Sequence, residues 1–179
     1  MPSSQSLQQQ QLYVTKRNGD PQPVLFDKIV TRIRKLCNDP QLTPLPIDVT
    51  HPAQKVIQQL YPGVTTAELD ELAAHQCTSM CTQDPAYGEL AKRIVISNLH
   101  KNTRTETGQE PTFQGVVEAL YACTDGSGEP APLVSEELLT IARTYGDRIQ
   151  DEIDDMRDYA LDYFGFKTLE KSYLLRLPV

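Results

Sequence analysis

Between residues 26 and 101, apolar residues recur at helical spacing in four runs, each followed by a segment that breaks a helix or leaves the pattern. In the first run Ile29, Val30, Ile33, Leu36 and Cys37 fall on one helix face, while Arg32, Arg34 and Lys35 fall mainly off it. Asp27 fits the N-cap of that helix. The run stops before NDPQLTPLPID, whose prolines at 40, 44 and 46 forbid continuation. A second helix covers roughly residues 51 to 61, with Ala53, Val56, Ile57 and Leu60 inward, and YPGV breaks it. Thr65 with Glu68 makes a capping box for a third. Its stripe is Leu69, Leu72, Ala73, Gln76 or Cys77, and Met80. Asp84 followed by Pro85 opens a fourth, filled on its inner side by Leu90, Ala91, Ile94, Val95 and Leu99.

Before the first helix, LYVTKR favours a strand and Asn18-Gly19 signals a type I′ turn, in which both central residues need positive φ. The return strand DPQPVLF carries Pro21 and Pro23, which cannot donate to a ladder, so it is expected at an edge. The expected fold is mainly α: an N-terminal β-hairpin capping a four-helix bundle over residues 12 to 101, followed by further α-helices. A segment of about 90 residues closes such a core without staples.

Beyond the bundle, NTRTETGQEPT (102–112) reads as a linker. FQGVVEALYAC and SEELLTIARTYGDRIQDEI read as amphipathic helices separated by TDGSGEPAPL. The last part, YALDYFGFKTLEKSYLL, is the most aromatic, with Tyr159, Tyr163, Phe164, Phe166 and Tyr173. That apolar surface needs a partner: either it folds back on this chain or more protein follows. The start, MPSSQSLQQQQ, reads as a disordered tail and lacks the apolar run of a signal peptide. The expected division is a tail over 1–11, a hairpin-and-bundle domain over 12–103, and the start of another helical domain over 104–179.

Charge supports two units. The formal net charge is −7, but residues 12–101 hold ten Lys/Arg against nine Asp/Glu, and the remainder holds seven against fifteen. Neither part has the basic surplus of a nucleic-acid binder, and no stretch is apolar enough to span a membrane. The four cysteines form no CxxC pair. Cys77 and Cys81 stand at metal-compatible helical spacing, but small buried hydrophobes in a reducing cytosol are the plainer reading, and no zinc site is proposed.

Lys16 and Arg17, directly before the turn, are the candidate ligand residues. As strand residues their side chains would alternate in direction. With the start of the first helix and a late cation such as Lys101, they could hold a phosphate chain. Val24, Leu25 and Phe26 could border an adenine. The alternative is a solvated basic hairpin that merely covers the bundle, since no Walker-type glycine loop is present.

VTKRNGDPQPVLFDKIVTRIRKL, GVTTAELDELAA and YGELAKRIVISNLHK together resemble the ATP-cone domain. YFGFKTLEKSYLL resembles the sequence following the cone in the large subunit of class I ribonucleoside-diphosphate reductase of eukaryotic type. The resemblance implies a regulatory site for ATP or dATP as allosteric effector, with Mg accompanying the nucleotide. It implies that Lys16 and Arg17 approach the phosphates and that Gln22, Pro23, Val24, Leu25, Phe26, Asp27 and Lys28 surround base and ribose. Thr66 and Asp70 would complete the pocket, with Lys101 a further phosphate contact. The family often has Glu where this chain has Gln22, and Asp where it has Asn18. The implied partners are the reductase small subunit and other large subunits, in the cytoplasm. The family's catalytic cysteines and radical tyrosines lie downstream of FGFKTLEKSYLL, so this chain is expected to be inactive alone. A stand-alone cone that regulates a partner protein is the alternative. A cone-bearing repressor would need a cysteine-rich zinc ribbon before the cone, which MPSSQSLQQQQ lacks.

Overall fold

A computed structural model describes residues 12–104 and 111–174. The expected tail over 1–11 and residues 105–110 of the expected linker lie outside the described residues, as do 175–179. The order of elements is β1 (Tyr13–Thr15), β2 (Pro21–Pro23), α1 (Phe26–Cys37), α2 (Thr50–Gln58), α3 (Thr66–Met80) and α4 (Ala86–Thr103). Then come α5 (Phe113–Tyr121), α6 (Glu136–Glu152), a 3-10 helix (Asp155–Ala160) and α7 (Tyr163–Ser172). The chain divides into two compact units, Met1–Asn98 and Leu99–Val179.

The first unit is the hairpin and bundle. β1 and β2 pair antiparallel with Val14 opposite Gln22. On its other side β1 meets the start of α3, where Thr15 N donates to Val64 O at 2.9 Å. Proline-bearing β2 is therefore left at the edge. The turn differs from expectation. Gly19 N donates to Lys16 O, Lys16 N donates to Asp20 O, and Gly19 alone has positive φ, +84°. This is a three-residue loop with a bulge at Gly19, not a two-residue type I′ turn. Asn18 escapes the left-handed region, and its side chain instead bonds Asp20. Lys16 and Arg17 thus sit in the turn region after β1, and strand alternation does not govern where they point.

Asp27 is not the N-cap of α1. Leu25 occupies that position without a side-chain cap bond, and Asp27 falls in the first turn. The inward faces otherwise follow the apolar stripes: Val30, Ile33, Leu36 and Cys37 on α1, Ala53 and Val56 on α2, Ala73, Cys77 and Met80 on α3, and Leu90, Ile94 and Val95 on α4. Leu69, Leu72 and Gln76 are only half-buried. Burial pushes the Cys37 and Cys77 thiols up, to about 11 and about 12, so at neutral pH they pack as small neutral side chains. The capping box at Thr65 is complete: Thr65 Oγ1 accepts from Glu68 N at 3.1 Å, and Glu68 Oε2 accepts from Thr65 N at 2.7 Å. Asp84 Oδ1 accepts from Ala86 N at 2.8 Å and opens α4. Helix α4 continues to Thr103, so Asn102 and Thr103 are helix and not linker.

In the second unit Thr112, Ser135 and Asp162 cap α5, α6 and α7 with their side-chain oxygens. Helices α5 and α6 enclose a small core of Val117, Leu139 and Ala142. A Cβ at Gly146 would lie 3.1 Å from Gln114 Cβ, so the glycine permits their close approach. His100 Nε2 pairs with Asp158 Oδ2 at 2.7 Å. The aromatic segment folds back in part. Phe166 is buried, while Phe164 is 66% and Tyr173 73% exposed. No helix among the described residues is long and apolar enough to cross a membrane.

Candidate functional site

The first unit gathers polar side chains where the hairpin turn meets α1, α3 and α4. The β1 bond to Val64 and the capping box just after it fix the entry to α3. Bonds from Thr65, its backbone N–H first, hold the Glu68 carboxyl below the usual carboxylate range. That rigid entry positions Thr66, and one turn later Asp70.

Asp70 is inward because it precedes Ala73, Ala74 and Cys77 by three, four and seven residues, all on one helix face. It is only 7% exposed. A carboxylate so placed requires a cation, and two arginines converge on it. Arg32 Nε donates to Asp70 Oδ1 at 3.3 Å, and Arg32 Nη2 donates to Asp70 Oδ2 at 3.2 Å. Arg32 Nη2 also donates to Ser97 Oγ at 2.9 Å. Arg17 reaches in from the turn. Its Nη2 lies 3.8 Å from Asp70 Oδ2 and donates to Asn98 Oδ1 at 2.5 Å, and its Nη1 donates to Thr66 Oγ1 at 3.5 Å. Asn98, 3% exposed, is itself fixed, its Nδ2 donating to Ala67 O at 3.3 Å and Glu71 Oε1 at 3.1 Å.

The Arg17 guanidinium is held below its ordinary pKa, first by burial; Asp70 opposes the shift and Arg32 adds to it. It stays charged, as guanidinium does in proteins. Arg17, Arg32 and Asp70 carry one net positive charge among them, partly shielded from water, and the Glu71 carboxylate joins the same network through Asn98. Beside them Asp27, Lys28, Thr31, Arg32 and Lys35 line a surface groove of about 290 Å³ along α1. Lys28, Arg32 and Lys35 share one ridge by their spacing. At the head of α1, Leu25 is 50% and Phe26 38% exposed, which presents apolar surface to solvent.

Of the residues singled out from sequence, Arg17, Thr66 and Asp70 come together. Lys16 is exposed at the lip of the turn. Gln22 and Pro23 lie on β2, Val24 and Leu25 join β2 to α1, and Phe26, Asp27 and Lys28 open α1. Lys101 lies in the last turn of α4, three residues past Asn98. Sequence reasoning missed Arg32, Ser97 and Asn98. Asp70 held the signal, because an acid on an apolar stripe demands a basic partner; nothing local names Arg32 as that partner, 38 residues away.

The ATP cone domain family matches residues 12–102, which take in both strands and almost all of α4. Over 93% of the chain the similarity extends to whole proteins. The ribonucleoside-diphosphate reductase large subunit of Plasmodium falciparum (isolate Dd2) is 44% identical over 166 residues. That of Dictyostelium discoideum is 45% identical over 168, and large chain 2 of Saccharomyces cerevisiae is 45% identical over 167. The chain spans about a fifth of the length of these relatives.

Proposed function

Because the chain belongs to the ATP cone domain family, we propose that its first unit is a regulatory nucleotide site that takes ATP and dATP. The cone covers residues 12–103, and residues 104–179 begin the helical region of a ribonucleoside-diphosphate reductase large subunit. The observation that carries the reading is the Arg17 guanidinium, which spans Thr66, Asp70 and Asn98 at the mouth of a partly desolvated cationic site. A triphosphate satisfies the excess positive charge. Lys16 and Arg17 take its oxygens with charge-assisted hydrogen bonds, and Mg²⁺ travels with the nucleotide. Exposed Leu25 and Phe26, with Gln22, Pro23, Val24, Asp27 and Lys28, surround base and ribose.

ATP and dATP differ by one 2′-hydroxyl. An effector shifts an equilibrium only through its different affinities for the two states. Asp70 is the group that reports the hydroxyl, since an ionised carboxylate accepts hydrogen bonds from hydroxyl donors. In the full-length subunit, which works with a small subunit and with other large subunits in the cytoplasm, Asp70→Asn blunts dATP inhibition and leaves ATP-stimulated turnover largely intact. The 179-residue chain alone reduces no nucleotide.

Calorimetry on the 179-residue chain tests the site. Each charge-assisted phosphate contact contributes roughly 1.5–3 kcal/mol, so Lys16→Ala with Arg17→Ala lowers ATP affinity at least about tenfold. Unchanged affinity in a double variant that melts like the parent removes the phosphate assignment.

A further inference from the structure

We infer that Arg32 is a positioning residue: it fixes the plane of the Asp70 carboxylate and so sets how the site distinguishes a ribonucleotide from its 2′-deoxy counterpart. The inference rests on the proposed nucleotide site. It starts from the grip of Arg32 on Asp70. Arg32 engages both oxygens of Asp70, at 3.3 and 3.2 Å, and a planar fork on both oxygens fixes orientation as well as position. The fork is anchored in turn, because Nη2 also donates to Ser97 Oγ on α4. Arg32 thus stands on α1, holds α3 and leans on α4. Arg17 reaches in from an exposed turn, its Nη2 3.8 Å from Asp70 Oδ2.

This division of labour has a physical reason. When phosphate draws Arg17 away, Asp70 must not be left as an uncompensated buried charge, which is strongly destabilising. Arg32 stays and supplies the compensation. The exchange of Arg17 from carboxylate to phosphate therefore proceeds without stranding an ion. Arg32 occupies one lone-pair direction on each oxygen, and an ionised carboxylate offers about four. A ribose hydroxyl meets this carboxylate in good geometry only if its plane is correctly turned, because hydrogen bonds weaken steeply off-axis. Arg32 sets that plane. It also lines the α1 groove with Asp27 and Lys28, which the proposed site assigns to the base and ribose side. Asn98 serves a separate arm: it holds Arg17, and so acts on phosphates common to both nucleotides.

The two arms give different signatures in calorimetry with ATP and dATP on the 179-residue chain. Asn98→Ala lowers both affinities by similar factors. Arg32→Gln changes the ATP-to-dATP affinity ratio by about fivefold or more, the lower end of ordinary coupling effects. A merely structural role for Arg32 lowers both affinities together and leaves the ratio at the parent value within error, which overturns the inference. If Arg32→Gln does not melt cooperatively, Arg32→Lys takes its place. It keeps the charge beside Asp70 and loses the two-pronged contact, and the same ratio decides. Failure of the parent chain to bind either nucleotide overturns the site itself and Arg32's role with it, whereas parent binding with an unmoved ratio overturns Arg32 alone.

Discussion

Arg93 is 2% exposed and carries a full charge into the core of the first unit. Its Nη1 donates to Leu36 O at 3.0 Å and Cys37 O at 3.3 Å, and its Nη2 donates to Thr43 O at 2.6 Å. One side chain on α4 thereby satisfies the last carbonyls of α1 and a carbonyl of the loop after it, groups that a helix end otherwise leaves without partners. Arg93→Ala takes the guanidinium from the Leu36 and Thr43 carbonyls, leaves Cys37 O with Leu45 N alone, and opens a cavity, so the chain should lose about 3 kcal/mol or more. Arg93→Lys should not restore it, because a single ammonium cannot reproduce the spread of the guanidinium. Urea midpoints at constant slope check both. Sequence counted Arg93 only in the tally of charges over residues 12–101. It lies between Ala91 and Val95, amid an apolar run; apart from Glu89, whose Oε1 is 3.4 Å from its Nε, its partners are backbone atoms 50 to 57 residues away, which carry no residue signature.

The four helices of the first unit were legible because their evidence is local. Apolar spacing and the Thr65–Glu68 pair act within a few residues, and both survive packing unchanged. The Thr65 cap alone should contribute appreciable stability: Thr65→Ala costs about 1 kcal/mol, read as a lower denaturation midpoint. The element ends that misled depend on tertiary context. Asn18-Gly19 fits a two-residue turn, but the bond from Lys16 N to Asp20 O closes a longer one and leaves Gly19 to absorb the strain. Asp27 has the right chemistry for a cap, yet α1 begins at Phe26 and passes the carboxylate into the first turn, where it lines the groove. Of the candidate site, the Thr66–Asp70 spacing was readable within one helix. The Arg32–Asp70 and Arg17–Asn98 pairings, 38 and 81 residues apart, belong to the fold alone.

The whole chain divides its chemistry as it divides its contacts, with the arginine network in the first unit and the acidic surplus in the second. Ligand linkage should therefore be uneven. With ATP at about a hundred times its dissociation constant, binding stabilises what it touches by about 2.7 kcal/mol. Amide exchange in α1, α3 and the stretch of α4 around Ser97 and Asn98 should slow by up to about a hundredfold, and exchange in α5, α6 and α7 should not change. Uniform slowing along the chain would contradict a site confined to the first unit. The loop between α1 and α2 extends the same logic to a different hazard. With Pro40, Pro44 and Pro46 and many polar residues, it has the composition of a cutting site. But Arg93 holds it at Thr43 and the Tyr87 hydroxyl donates to Asp48 O at 3.0 Å, while Leu45 N donates back to Cys37 O. A protease must strip a stretch of backbone free before it can cleave, and here the loop is tied to α4 at its middle and near its far end. A protease of broad selectivity, which needs no Lys or Arg in the segment, should leave this stretch whole for as long as the bundle stands, so its survival time becomes a clock for global unfolding and not for local fraying.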